Sequence, residues 1–188
     1  MKNFLKIRIL KISLLKLSLV QFLFLLLITY VIFRLLLSFS YSLDIGGVEN
    51  NVIYSLTSFF NGNPIYGNPE AENYSITQYS PVLYLFNIGL DSLFGVSSST
   101  DYHKIYVIGR ILNLAVNLFS VLLLYKLLFK KMAIEKTFAF SISVLMFFTL
   151  TRFHFSVRPD ALYNLTFILF IYYSIPLIRE GKGMKTFV

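Results

Sequence analysis

The chain has 188 residues, 56% of them hydrophobic and 14% charged, with a net charge of +8 and a mean hydropathy of +0.70. A soluble domain carries about 25% charged residues, so the composition points away from one and toward a membrane. Cysteine is absent, which excludes disulfides and any cysteine nucleophile or ligand.

The first apolar run, "LSLVQFLFLLLITYVIF", covers 17–33 without a charge. It extends to about 38 if Arg34 snorkels at the helix end. The preceding "MKNFLKIRILKISLLK" resembles the basic start of a signal peptide. The run exceeds the roughly 7–15 residues of a signal core, however, and no A-x-A-like site follows. The spacing therefore predicts an uncleaved anchor.

Residues 39–105 are too long for a bare connector. In "VENNVIYSLTSFFNG", Val48, Val52, Ile53, Leu56, Phe59 and Phe60 recur at helical spacing. Asn50, Asn51, Ser55 and Ser58 take the other side, and Asn61-Gly62 is a stop signal. This predicts an amphipathic helix lying on the membrane surface. "NPIYGNPEAENYSITQYS" reads as irregular chain. It contains Asn73-Tyr74-Ser75, which fits an N-glycosylation acceptor. In "YSPVLYLFNIGLDSLFG", Ser80 is a good N-cap, Pro81 suits the first turn and Gly95 ends the helix. Tyr84, Asn87 and Asp91 share one face, and apolar residues cover the rest. A second interfacial helix is the reading. A fifth span is the alternative, opposed by Asp91 and a length of about 15 residues.

Three further apolar runs predict spans at about 106–129, 137–155 and 160–178. Lys and Arg set the orientation. Residues 1–16 carry five, "YKLLFKKMAIEK" four and the tail "IREGKGMKTFV" three, whereas 39–105 carries one against six acids. The positive charges flank apolar runs rather than forming a soluble patch, so nucleic acid is not an expected partner. With four spans, both termini are cytoplasmic. The 39–105 loop and "FSVRPDALYNL" at 155–165 then share the outer side.

Glu49 opens the first outer helix, either as an acid suited to a helix N-terminus or as a general base or metal ligand. Asp44 is a second such carboxylate. Arg158 and Asp160 flank Pro159 at the mouth of the last span. Arg158 can bind a lipid phosphate with its fork of donors. Asp160 either caps the helix or positions an acceptor or metal. Arg110 and Lys104 are headgroup anchors or phosphate ligands. His103 and His154 read as interfacial polar residues, and Glu70, Glu72 and Asp101 as solvated charges. No H-x-x-x-H pair exists, so a dedicated zinc site is not expected. Metal use is otherwise left open, a divalent ion included.

In order, these residues resemble the N-terminal part of the GT-C integral-membrane glycosyltransferases. The branch is the bacterial one akin to protein O-mannosyltransferases and aminoarabinose transferases. The likeness lies in a first span, an outer acid, an amphipathic helix and "GNPIY". "YSPVLYLF", a helix ending in "FG", "GR" opening the next span and "RPDAL" opening the fourth complete it. It implies an all-α polytopic fold in the bacterial inner (plasma) membrane. It also implies transfer, with inversion, of a sugar from a polyprenyl-phosphate carrier to an acceptor on the outer face. Carried over, Glu49 stands at the first-loop acid and Asp160 at the second, both catalytic. Arg110 and Arg158 stand where the lipid phosphate is bound, and Tyr79 and Pro81 match a tyrosine–proline segment. Val48-Glu49 replaces the usual acidic pair, and Asp44 could supply the missing carboxylate only if the loop folds back. The likeness covers about 17–180, and family members have roughly twice as many spans or more. Residues 1–188 are thus expected to form one incomplete transmembrane module, and a second polypeptide supplying further spans is left open. The rival expectation is a truncated, non-catalytic module that binds polyprenyl phosphate or a partner membrane protein.

Overall fold

The computed structural model describes residues 2–40, 48–66, 79–153 and 157–179, and these are all-helical. The helices are α1 (Lys2–Ser38), α2 (Val48–Phe60), α3 (Pro81–Leu93), α4 (Tyr102–Lys126), α5 (Lys136–Phe153) and α6 (Asp160–Arg179). α2 and α3 occupy the long loop. α1 starts well before the apolar run, and α4 begins at Tyr102 rather than 106. Two helical stretches, Leu14–Ser38 and Tyr102–Lys131, are long and apolar enough to cross a membrane. The apolar stretches Lys136–Thr151 and Asp160–Ile175 are shorter.

Local chemistry sets the helix ends. Ser80 Oγ accepts from the Val82 N–H at 3.4 Å, and Pro81 fills the first turn of α3. Gly62 and Gly95 follow α2 and α3 with φ of +85° and +74°, where a Cβ would be penalised. α4 runs into one π-helical turn, Leu127–Lys131, and the chain leaves through Ala133 at φ +57°. There the Met132 N–H reaches Leu127 O at 3.1 Å and the Ile134 N–H reaches Leu128 O at 3.0 Å. This end is built for glycine, and alanine costs about 1 kcal/mol in that conformation. Ala133→Gly is therefore expected to stabilise the fold by about 0.5–1 kcal/mol, seen as a raised Tm in detergent, while Ala133→Val lowers it.

Side-chain contacts fix the helix directions. Lys16 Nζ lies 2.8 Å from Glu135 at the start of α5, and Arg34 Nη2 donates to Thr151 O near its end at 2.8 Å. α1 and α5 therefore run parallel. Asn113, midway along α4, bonds the Arg158 carbonyl just before α6, and Lys131, at the end of the π-helical turn after α4, sits 5.3 Å over the Tyr172 ring of α6. α4 and α6 therefore run parallel. In chain order α1, α4, α5 and α6 alternate up and down. Lys16, Lys131 and Glu135 gather at one end; Arg34, Glu49, Arg110 and Arg158 gather at the other. α4 packs against every other helix.

Arg34 does not snorkel outward. It is half-buried, and its Nε and Nη2 donate to Tyr30 Oη at 2.9 and 2.6 Å as well as to Thr151 O. The last carbonyls of α5 lack intrahelical donors, and a cation suits a helix C-terminus. Tyr30 itself packs edge-on against Phe147 and Phe148, with centroids 5.9 and 4.9 Å away. The outward faces are apolar: Leu25, Leu85 and Phe170 are all more than half exposed. A helix on a water-soluble core shows the reverse.

Candidate functional site

α2 carries its acid on the face that packs. Glu49, Val52, Ile53 and Leu56 follow an i, i+3, i+4, i+7 pattern, and all four are buried. The sequence reading began this face one residue earlier, at Val48, and gave Ser55 to water. Ser55 is instead buried, its hydroxyl bonded to Asn51 O at 3.0 Å. That shift turns Glu49 from the mouth of the helix into the interior, where a cation meets it.

The cation is Arg110. Both side chains are 1% exposed, and they pair in a fork. Arg110 Nε donates to Glu49 Oε1 at 2.9 Å and Nη2 to Oε2 at 2.7 Å. Nη1 donates to Ser40 O at 2.9 Å and Leu37 O at 3.3 Å, and Nη2 also donates to the Tyr106 hydroxyl. All five guanidinium N–H groups thus have acceptors. Helix ends support both charges. Glu49 lies in the first turn of α2, and Leu37 O belongs to the last turn of α1, so each dipole favours the sign it meets. Arg110, expected as an outward phosphate ligand, is in this arrangement the pin joining α1, α2 and α4.

Glu49 makes one more bond. Its Oε1 accepts from the Val157 N–H at 2.9 Å. Val157 joins an apolar cluster with Val52, Ile53, Leu83, Tyr84 and Ile105, so α2, α3, the start of α4 and the loop before α6 share one core. Gly109 permits this. A Cβ there would meet Val157 Cγ2 at 2.6 Å and Asn87 Oδ1 at 3.4 Å. One turn on, Asn113 Nδ2 reaches the Arg158 carbonyl at 3.4 Å. Glu49 and Asn113 therefore hold the backbone on either side of the Arg158 side chain.

Arg158 itself is half-buried, and its Nε is buried without a partner among the described residues. Asp160 opens α6, also half-buried. Glu49, Arg110, Arg158 and Asp160 are thus gathered at one end of the bundle. Tyr79 and Pro81 stand apart from them in role: they form the entry to α3, where the Tyr79 carbonyl accepts from the Tyr66 hydroxyl at 2.5 Å. Lys104 pairs with Asp101 at 2.9 Å on the surface. Asp44, His154 and the 73–75 acceptor lie outside the described residues. Among the described residues, no three Asp, Glu or His side chains gather to hold a metal ion.

The polar face of α4 beyond Arg110 escaped the sequence reading, and the polar face of α3 was found there but not its burial. On α4, Tyr106, Arg110, Asn113, Asn117 and Ser120 are all buried on one face. Their spacing is visible in the sequence, but the run reads as apolar because it lacks charge. Neither amide atom of Asn117 has a partner among the described residues. On α3, Tyr84, Asn87 and Asp91 point inward while Val82, Leu85 and Phe86 point out. Asp91 is fully buried, and burial raises its carboxyl from the usual range to about 7. Between α3 and α4 lies an open apolar groove of about 340 Å³, lined by Leu90, Phe94, Ile108, Ile111, Leu112 and Ala115.

No family model, no curated protein and no solved structure matches the chain, so its function has to be read from the chemistry of these side chains.

Proposed function

We propose that α1, α4, α5 and α6 cross a membrane, with both termini on the cytoplasmic side. We further propose that the end bearing Arg158 and Asp160 faces outward as the polyprenyl-phosphate sugar site of a GT-C-type glycosyltransferase. The alternation of the four helices and their apolar outward faces support the first part. The single observation that carries the second is Arg158. Its guanidinium is half-buried, its Nε has no acceptor among the described residues, and the backbone on both sides is pinned. A buried donor without an acceptor is costly, and a lipid phosphate would supply the acceptor. The apolar groove between α3 and α4 offers a place for the lipid tail.

In this reading the acceptor hydroxyl attacks the anomeric carbon as the bond from that carbon to the phosphate oxygen breaks. Asp160 takes the hydroxyl proton. The departing phosphate keeps the bonding electron pair, and Arg158 stabilises its charge. Glu49 is enclosed and already holds three donors, so it positions the loop, and the role of base falls to Asp160.

The test is binding first and turnover second. Arg158→Gln is expected to weaken binding of a long-chain polyprenyl phosphate in nanodiscs about 10–100-fold, the worth of one charge-assisted interaction. Unchanged binding removes Arg158 from the site. Asp160→Asn is expected to abolish sugar transfer while sparing that binding. One observation favours a second reading, a module that binds polyprenyl phosphate without turnover: the carboxylate expected as base is saturated by Arg110 and the Val157 amide. Wild-type binding with no transfer to any acceptor would select it.

A further inference from the structure

α3 hides a polar face whose hydrogen bonds do not close. Asn87 and Asp91 are one helical turn apart and 1% and 0% exposed. At that spacing their side chains are neighbours. Asn87 Nδ2 donates to Leu83 O at 2.8 Å, which fixes the amide orientation and leaves Oδ1 facing inward without a donor. Neither oxygen of Asp91 has a donor either. With Asp91 ionised, three buried acceptors compete for no hydrogen at all, a costly arrangement. One proton changes the balance. A neutral carboxyl gains an O–H group that Asn87 Oδ1 can accept, and the buried charge disappears.

We propose that Asp91 is a proton-binding site of the outer loop: its carboxyl carries a proton while α3 is docked on α2 and α4, and releases it when α3 lifts away. The site does not depend on glycosyl transfer. Other ionisable groups on the elements packed against α3 are accounted for. On α2, Glu49 is bonded to Arg110 and Tyr54 is exposed. On α4, the Tyr106 hydroxyl accepts from Arg110, Lys104 pairs with Asp101, and Tyr102 and His103 are exposed. Burial is the one cause acting on the Asp91 carboxyl, with no neighbouring charge contributing. Its affinity for a proton is raised in the docked state, so docking is strongest at low pH. Docking weakens as pH rises through about 7.

The absence of native cysteine makes the test direct. A single cysteine at Leu83, 2% exposed when α3 is docked, is labelled in the full chain in nanodiscs. Its rate is divided by that of a single cysteine at exposed Ser92, which cancels the titration of the thiol itself. The normalised rate is expected to rise about tenfold from pH 6 to pH 8, the ratio that linkage gives for a site titrating near 7. In Asp91→Asn, whose amide can donate to Asn87 Oδ1 at any pH, the rise is expected to vanish. A flat wild-type profile overturns the proposal, since it means a carboxylate kept ionised, for instance by a bound water. A rise that survives Asp91→Asn overturns it too. Infrared difference spectra of the unsubstituted chain need no cysteine. The protonated-carboxyl band should fade between pH 6 and 8 and be missing in Asp91→Asn, and a wild-type chain without such a band sinks the idea.

Discussion

Arg110→Met is expected to lower the unfolding free energy by about 3–5 kcal/mol, because it leaves the Glu49 carboxylate buried and uncompensated. The pair is 1% exposed on both sides, so solvent cannot take over. The variant also strips donors from Leu37 O, Ser40 O and the Tyr106 hydroxyl. Glu49→Gln is expected to cost less, since a neutral amide oxygen can still accept from Arg110 and from the Val157 N–H. The decisive variant is Glu49→Met combined with Arg110→Met. Replacing both charges by apolar groups of similar volume removes the desolvation penalty, so most of the single-variant loss should return. It should not return in full, because the Val157 N–H then has no acceptor. Glu49→Met alone completes the cycle, and chemical or thermal unfolding in detergent gives the values. A coupling energy of about 2 kcal/mol or more marks a true pair, and additive losses would mean that Arg110 acts mainly through α1.

Gly109→Ala is expected to cost about 1–3 kcal/mol, although alanine is the better helix former by about 1 kcal/mol. The added carbon would stand 2.6 Å from Val157 Cγ2 and 3.0 Å from Cγ1. Valine is stiff at χ1, and its backbone N–H is held by Glu49. The collision therefore moves the loop rather than a flexible tip. Combining it with Val157→Ala removes both offending carbons and should return stability to within about 1 kcal/mol of wild type. If Gly109→Ala alone is neutral, the contact between α4 and the loop is looser than the distances state. The same substitution should weaken phosphate binding through Arg158, next in the chain to Val157.

The helices were legible in the sequence because each announces itself locally. Ser80-Pro81 marks the start of α3, Gly62 and Gly95 follow the ends of α2 and α3, and uncharged runs mark α1, α4, α5 and α6. The site was legible only residue by residue. Glu49, Arg110, Arg158 and Asp160 each stood out as a charge beside an apolar run. That Glu49 meets Arg110 was not legible, since 61 residues separate them and no local pattern encodes a partner so distant. The face of α2 was misplaced by one position because Val48 is apolar and Glu49 is not. The rule that apolar residues face inward fails where an interior cation waits. α3 shows the converse limit. Periodicity finds its two faces, yet whether the polar one meets water or protein depends on what surrounds the helix. Asn113 and Asn117 stayed hidden because the run around them was read for the absence of charge.

The pairing of Glu49 with Arg110 also dictates a timetable. The acid is synthesised 61 residues before its cation, and the Val157 amide follows 47 positions after Arg110. A nascent chain that stops short of Arg110 presents α2 with an unmatched carboxylate, and a helix in that condition stays in water. α2 therefore cannot settle until α4 has arrived, and its seat is not finished until the loop before α6 is in place. Biogenesis of this chain should run from its last helices back to its second, and ribosome-bound intermediates of increasing length should show α2 becoming protease-resistant late.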